Sequence, residues 1–159
     1  MKITLVTVGK IKERYWRDAI MEYTKRLSKY CKLEILEAAD EKTPDQASER
    51  LMESIREREG ERVLKLVKPE AYVIVLAIAG KQVASEQMAA KIEQLGIRGI
   101  SHITFIIGGS LGLSQAVMAR ADESLSFSLL TFPHQMMRVI LLEQIYRSYR
   151  IIHQQPYHK

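Results

Sequence analysis

The sequence predicts an α/β fold in which a mostly parallel sheet carries helices on both of its faces. Short apolar runs rich in β-branched residues alternate along the chain with longer helix-like stretches. The run 72–78 is apolar throughout and lacks the alternation of a half-exposed strand, which indicates burial on both faces. Because 159 residues suit one compact core, we expect a single domain spanning residues 1–159.

Five strands and five helices are predicted in alternation. Each strand is a short apolar run followed by a turn signal, and the runs lie at residues 3–8, 33–39, 72–78, 103–107 and, more weakly, 125–127. The helices are predicted between and after them, at residues 15–30, 44–67, 85–95, 114–121 and 133–151. This alternation is typical of a sheet built from parallel strands with helical crossovers.

The second helix has a recognisable start and one weak point. Thr43 and Gln46 have the spacing of a capping box, with Pro44 at the first helical position, which predicts a helix beginning there. Gly60 costs a helix interior about 1 kcal/mol relative to alanine, so a break near it is expected.

The last helix, 133–151, is apolar around most of its circumference. A helix of this kind is either a central element of the core or half of a subunit interface. We favour the interface, and the core helix is the alternative.

Positive charge is concentrated at the two ends of the chain. Residues 1–32 carry nine Lys and Arg against three acids, residues 33–123 carry eleven against fifteen, and residues 124–159 carry four against one. If the fold brings both ends together, they form one basic face suited to a polyanion such as nucleic acid.

Composition and motifs exclude several classes of protein and of binding site. With 47% hydrophobic and 27% charged residues, the chain is globular, and no apolar run approaches the ~18 residues of a membrane span. We expect a cytoplasmic protein with no membrane partner. Cys31 is the only cysteine, which excludes an intramolecular disulfide, and the four histidines show no metal-binding pattern, so no metal is expected.

The glycine-rich segment 108–112 follows a predicted strand and admits more than one interpretation. It has neither the P-loop pattern nor the spacing of the dinucleotide fingerprint. Ser110 formally matches the G-x-S-x-G pattern of a hydrolase nucleophile, but the chain is short for that architecture and lacks a suitable downstream acid and histidine pair. Glycines at a strand end also let backbone approach a ligand closely, although a simple tight turn is the commoner outcome.

Three segments are expected to meet at one edge of the sheet. Ligands of parallel sheets bind at the carboxyl ends of the strands, which here are residues 76–80, 108–112 and 127–132. Two phenylalanines, a serine and a threonine in the third segment would give apolar walls with a few polar groups. The combination suits a purine-bearing cofactor.

The C-terminal tail, residues 151–159, is a candidate for RNA contact. Tyr157 can stack on an unpaired base, while cationic side chains contact phosphate. The predicted RNA-binding residues of the last helix and tail are Arg138, Arg147, Arg150, Tyr157, His158 and Lys159. A frayed, non-functional terminus is the alternative.

Six segments in order resemble a known family across the whole chain. They are Val8-Gly9-Lys10, residues 105–112, Leu125-Ser126-Phe127-Ser128, residues 131–138, residues 143–147 and Pro156-Tyr157-His158-Lys159. Together they resemble the RlmH family, bacterial methyltransferases of the large ribosomal subunit RNA that belong to the SPOUT class. Any single glycine motif would be weak evidence, but six segments in the same order make the resemblance specific.

The resemblance implies a fold, a reaction and a set of residues. It implies a C-terminal trefoil knot, a homodimer, and S-adenosylmethionine-dependent methylation at N3 of a pseudouridine in 23S rRNA of the assembled ribosome. It assigns the cofactor to Leu76, Gly108, Phe127, Ser128, Leu129, Leu130, Thr131 and Phe132, and the substrate RNA to Tyr157, His158 and their neighbours.

The implied chemistry depends mostly on placement, because the cofactor's sulfonium is already a reactive methyl donor. The proton on N3 must leave. His158 is a candidate base and Tyr157 a candidate for orienting the nucleotide, while solvent or other pocket groups are alternatives for the proton. A rival from another class is a non-catalytic RNA-binding or ribosome-associated factor, which cofactor binding would distinguish.

Overall fold

A computed structural model describes residues 1–159 as five strands alternating with five helices. The elements are β1 (Lys2–Val8), α1 (Arg14–Leu27), β2 (Lys32–Ala38), α2 (Glu49–Leu66), β3 (Tyr72–Gln82), α3 (Ser85–Ile97), β4 (His102–Ile107), α4 (Gln115–Arg120), β5 (Glu123–Ser126) and α5 (His134–Ile152). None of the five helices combines the length and apolarity that crossing a bilayer requires.

All five strands form one parallel sheet in the order β2-β1-β4-β3-β5. β4 lies at the centre, and all six of its residues are buried. Because every strand runs the same way, all carboxyl ends lie at one edge of the sheet. The predicted parallel sheet is confirmed, whereas the trefoil knot stays a prediction.

Helices cover both faces of the sheet, as predicted. On one face, α1, α3 and α5 bury side chains such as Leu27, Met88 and Leu141 against the strands. On the other face, α2 and α4 bury Val63 and Val117. The continuous apolar strands follow from this arrangement, since each strand must offer apolar side chains to both layers.

The wide apolar surface of α5 is used mainly within the chain. Leu141, Leu142 and Ile145 have no exposed surface, and the helix packs between α1 and α3. The structure therefore shows the core-helix alternative for these residues. The expected subunit interface is not needed to explain their apolar character.

The predicted start of α2 at the 43–46 capping box is wrong. Residues 44–47 form a turn in which the Ala47 amide donates to the Pro44 carbonyl at 3.2 Å. The helix begins at Glu49, because the Ser48 side chain accepts a hydrogen bond from the Leu51 amide at 3.2 Å and caps it. The helix then runs through Gly60 without a break.

β3 extends beyond its predicted end through an irregularity at the carboxyl edge. Leu125 of β5 is paired with both Leu76 and Lys81, so residues 77–80 bulge out of the ladder. Gly80 permits this, since a Cβ on it would lie 2.6 Å from the Leu125 backbone carbon. The bulge places residues 77 and 78 beside the ends of β4 and β5.

Candidate active site

A cavity of about 330 Å³ opens at the carboxyl edge of the sheet, where β3, β4 and β5 end. Its walls include seven of the eight side chains or backbone positions predicted to hold a cofactor: Leu76, Gly108, Phe127, Ser128, Leu130, Thr131 and Phe132. The eighth, Leu129, is not on the wall, and its side chain is 76% exposed. The three predicted segments therefore meet in one site.

The glycine-rich segment folds back on itself at the floor of this cavity. The Gly112 amide donates to the Gly109 carbonyl at 3.1 Å, and Gly112 has a φ of +83°. A Cβ on Gly108 would lie 2.9 Å from the Gly112 carbonyl carbon. The reversal therefore requires glycine at both positions and presents backbone, not side chains, to the cavity.

The segment 127–132 is shaped by hydrogen bonds of two serines. Ser126 Oγ donates to the Ser128 carbonyl at 3.0 Å, and Ser128 Oγ accepts from the Leu130 amide at 3.0 Å. These bonds turn the chain so that Leu130 lines the cavity while remaining 71% exposed. The segment forms an apolar rim around the opening.

The structure adds lining residues that sequence reasoning missed. His134 and Met137 enter from the first turn of α5, and Leu113 and Met118 also lie outside the three predicted segments, whereas Ala77 and Ile78 of the β3 bulge belong to the predicted segment 76–80. The spacing of three between His134 and Met137 was a signal in the sequence, since such residues share a helix face. Burial, and then the nearby Arg138 charge, lower the pKa of His134, and its buried Nδ1 has no hydrogen-bond partner.

The C-terminal tail is docked on α5 and α3. Tyr157 donates to Glu143 at 3.1 Å, and its ring lies under the Arg147 guanidinium at 4.7 Å. His158 Nε2 lies 2.8 Å from Glu86 Oε1, and its Nδ1 lies 3.3 Å from Arg147. Burial and the hydrogen bond to Glu143 raise the pKa of Tyr157 to about 12, so its hydroxyl stays protonated at neutral pH.

The tail and the cavity are separate within one chain. No tail residue lines the cavity. Glu143 and Arg147, which hold Tyr157, lie about 9 and 15 Å further along the α5 axis than the cavity residue Met137. The structure thus assembles the predicted cofactor residues but does not bring Tyr157 and His158 to them.

The prediction that Arg138 contacts RNA is wrong. Its side chain is buried and donates to the carbonyls of Val8 and Gly9 at 2.9 and 2.8 Å and to Glu37 at 2.9 Å. A guanidinium held this way has no surface left for phosphate. Its position inside the fold follows from the carbonyls left free at the end of β1.

The other predicted RNA contacts are at the surface. Arg147 pairs with Glu143 at 2.7 Å, and Arg150 donates to Gln155 at 2.8 Å and to Tyr30 at 3.1 Å. Lys159 is exposed. The contact between Arg150 and Tyr30 places the end of α5 against the end of α1, whereas the single basic face expected from the charge distribution stays a prediction.

No group of three His, Cys, Asp or Glu side chains lies close enough to hold a metal ion. The absence of a metal stays a prediction.

Sequence comparisons identify the family. The family model described as "Predicted SPOUT methyltransferase" matches residues 1–158. A protein of Bifidobacterium adolescentis is 64% identical over 159 residues, covering 100% of both chains, and is named ribosomal RNA large subunit methyltransferase H. A protein of Clostridium beijerinckii with the same name is 58% identical, again over 100% of both chains.

Solved structures share the fold. A methylase family protein of Haemophilus influenzae aligns with a TM-score of 0.53 at 11% identity, covering 99% of this chain and 70% of that one. A Legionella pneumophila methyltransferase, solved with bound SAM, aligns with a TM-score of 0.50 at 12% identity, covering 94% and 66%. The match over residues 1–158 and the full-length relatives show that the chain belongs to the SPOUT methyltransferase family.

Proposed function

We propose that this protein transfers a methyl group from S-adenosylmethionine to N3 of a pseudouridine in 23S rRNA of the assembled ribosome. The observation that carries the proposal is the cavity at the carboxyl edge, which unites seven of the eight residues assigned to the cofactor. The names of the full-length relatives support large-subunit ribosomal RNA as the substrate.

The cavity fits the cofactor in chemistry and size. Its volume of about 330 Å³ lies within the range of small-molecule sites, roughly 300 to 1,000 Å³. Leu76, Phe127 and Phe132 offer apolar surface for a purine, Gly108 presents bare backbone, and Ser128 and Thr131 offer hydroxyls. When bound, S-adenosylmethionine supplies a methyl group on a positively charged sulfur, so the protein has no donor to activate.

The protein's own contribution is to position the nucleotide beside the cofactor and to exclude water from the site. Leu130 and Ile78 form an apolar rim that a nucleotide entering the cavity would cover. His134 lies on the wall, and burial followed by the Arg138 charge lowers its pKa, which keeps the ring neutral near neutral pH, while its Nδ1 is buried without a partner. His158 stays the candidate for receiving the N3 proton, with solvent or other pocket groups as alternatives.

The separation of tail and cavity supports the proposed homodimer. Tyr157 and His158 lie on the α5 turns beyond the cavity, so in one chain they do not touch a nucleotide bound there. A second copy can bring its tail to the cavity of the first. In that arrangement Tyr157, with its hydroxyl protonated, orients the nucleotide and does not take the N3 proton.

The proposal is tested by methyl transfer in vitro. Assembled ribosomes from cells lacking the gene are incubated with the purified protein and S-adenosylmethionine, and the rRNA is then digested and mapped by mass spectrometry. One added methyl on a pseudouridine is expected. Binding of rRNA without any methyl transfer would instead identify a non-catalytic RNA-binding factor.

A further inference from the structure

We propose that residues 9–17, the loop after β1 with the first turn of α1, form an RNA-docking surface beside the cofactor cavity. This inference rests on the proposed function and names where the substrate RNA lies. We call this segment the 9–17 surface.

The 9–17 surface carries cations that the fold does not use. Lys10, Lys12, Arg14 and Arg17 are all exposed. Three of them make no ion pair, and Arg14 has only a 3.6 Å contact with Asp18 while its side chain is 87% exposed. On α2, Arg56 is held by Glu49 and Glu53, but the exposed Arg50 and Arg58 make no ion pair either, so the 9–17 surface is distinguished by its aromatic side chain and its place beside the cavity. Unpaired cations on one short segment suit phosphate groups.

An aromatic side chain stands among these cations. Tyr15 is 65% exposed, and the edge of its ring packs against Trp16, with centroids 5.1 Å apart. A large ring left in water contributes little to folding. Aromatic faces interleaved with cations are the combination that binds unstacked bases and their backbone.

The fold fixes the 9–17 surface to the wall of the cavity. Arg138 donates to the Val8 and Gly9 carbonyls and lies one turn after His134, which lines the cavity. Val8 also packs on the glycine-rich loop, since a Cβ on Gly109 would lie 3.2 Å from Val8 Cγ1. Within one chain, this surface is therefore the basic surface beside the cavity, whereas the tail docks further along α5.

Charge favours RNA over a second copy of the chain as the occupant. Two copies meeting through the 9–17 surface would bring eight cations together, four from each, against only four carboxylates, Glu13 and Asp18 of each copy. An RNA backbone supplies one negative charge per nucleotide. Removal of these cations is thus expected to weaken RNA binding and to reduce its dependence on salt.

The test compares two triple variants that remove equal charge. Lys12→Ala/Arg14→Ala/Arg17→Ala alters the 9–17 surface. Arg50→Ala/Arg58→Ala/Lys65→Ala alters exposed positions of α2, on the opposite face of the sheet. Methyl-transfer kinetics on assembled ribosomes are measured at several salt concentrations, with calorimetric binding of S-adenosylmethionine and thermal unfolding as checks on the site and the fold.

The first variant should raise KM for ribosomes by about tenfold or more and lower the salt slope of binding by about three, one for each lost phosphate contact. Its cofactor affinity and melting temperature should match wild type, and the α2 variant should keep the wild-type KM. Tyr15→Ala should weaken binding by about tenfold while Tyr15→Phe retains it.

Three results would overturn the inference while leaving the proposed function intact. One is a wild-type KM in the first variant, and another is an equal loss in both triple variants. The third is normal binding of protein-free 23S rRNA by a variant that loses affinity for ribosomes, which would identify a ribosomal protein as the partner. If wild type transfers no methyl group, the proposed function itself fails.

Discussion

Gly60 marks the closest approach of α2 and α4. A Cβ at this position would lie 2.1 Å from Ser114 Oγ and 2.9 Å from its Cβ, and Ser114 caps α4. Gly60→Ala should therefore lower the free energy of unfolding by about 1 to 3 kcal/mol, despite alanine's better helix propensity. Denaturant unfolding measures the change.

Gly96 supplies the matched control. It lies in α3, and a Cβ there would meet only Met1 Cε at 3.6 Å, an ordinary contact. Gly96→Ala should be neutral or stabilising by up to about 1 kcal/mol. Equal effects at both positions would refute the argument from close packing.

Glu59 is a buried carboxyl without a partner. It is 6% exposed and makes no hydrogen bond or ion pair, and burial, followed by the charges of Asp40 and Glu41, raises its pKa. The folded state thus holds the proton more tightly than the unfolded chain, whose carboxyl has a pKa of about 4.3. The stabilising contribution is complete below that pH and is lost as pH rises through the folded pKa.

Replacing Glu59 by Gln should consequently raise the free energy of unfolding near pH 8, and the gain should vanish by about pH 4. Chemical unfolding across this pH range measures the difference. Glu61→Gln, an exposed neighbour in the same helix, should show no such trend. A gain independent of pH would mean that the charge of Glu59 is not the cause.

At the scale of elements, Arg138 joins α5 to two strands. It donates to carbonyls at the end of β1 and pairs with Glu37 of β2. Arg138→Met leaves these buried acceptors unpaired and should lower the free energy of unfolding by about 3 kcal/mol. Arg98→Met, at an exposed position without an ion pair, should change it by less than about 0.5 kcal/mol. Similar values for the two variants would contradict this role.

Elements that are specified by their own residues could be predicted from the sequence. Boundaries and irregularities that depend on packing against another element could not. β4 was predicted from its apolar run and α5 from its apolar circumference, and both patterns can be read from the sequence of the element itself. The start of α2 was misplaced because two capping signals compete within six residues, and only the fold shows that Ser48 prevails. The β3 bulge depends on the register with β5, which the β3 sequence does not encode.

The site residues likewise divide into those that the sequence predicts and those that depend on how the elements pack. Strand-end glycines and the 127–132 segment were predictable because carboxyl ends of parallel strands share an edge. His134 was missed because its place depends on the angle at which α5 leaves the sheet. Arg138 was misassigned because exposure was inferred from charge, whereas free β1 carbonyls draw it inside.

At the scale of the whole molecule, α1 and α5 run side by side in the same direction. Glu13 and His134 lie near their beginnings, and Tyr30 contacts Tyr149 and Gln155 near their ends. One end of this helix pair therefore adjoins the cavity, and the other carries the docked tail. The cavity and the docked tail are therefore spatially separate in each chain.

Deletion of residues 156–159 should abolish methyl transfer while leaving the affinity for S-adenosylmethionine nearly unchanged, because the tail contacts α5 and α3 but not the cavity. Calorimetry and single-turnover methyl transfer on assembled ribosomes measure the two quantities. Loss of both, together with a lower melting temperature, would show that the tail is structural.

We propose that the strand ends of β3, β4 and β5 enclose the methyl donor, and calorimetric titration with S-adenosylmethionine measures this binding. Wild type should bind one cofactor per chain, and Leu76→Trp, which fills the cavity wall, should abolish binding while retaining a cooperative unfolding transition. No binding heat at millimolar cofactor, or undiminished binding by the folded Leu76→Trp variant, would contradict the account.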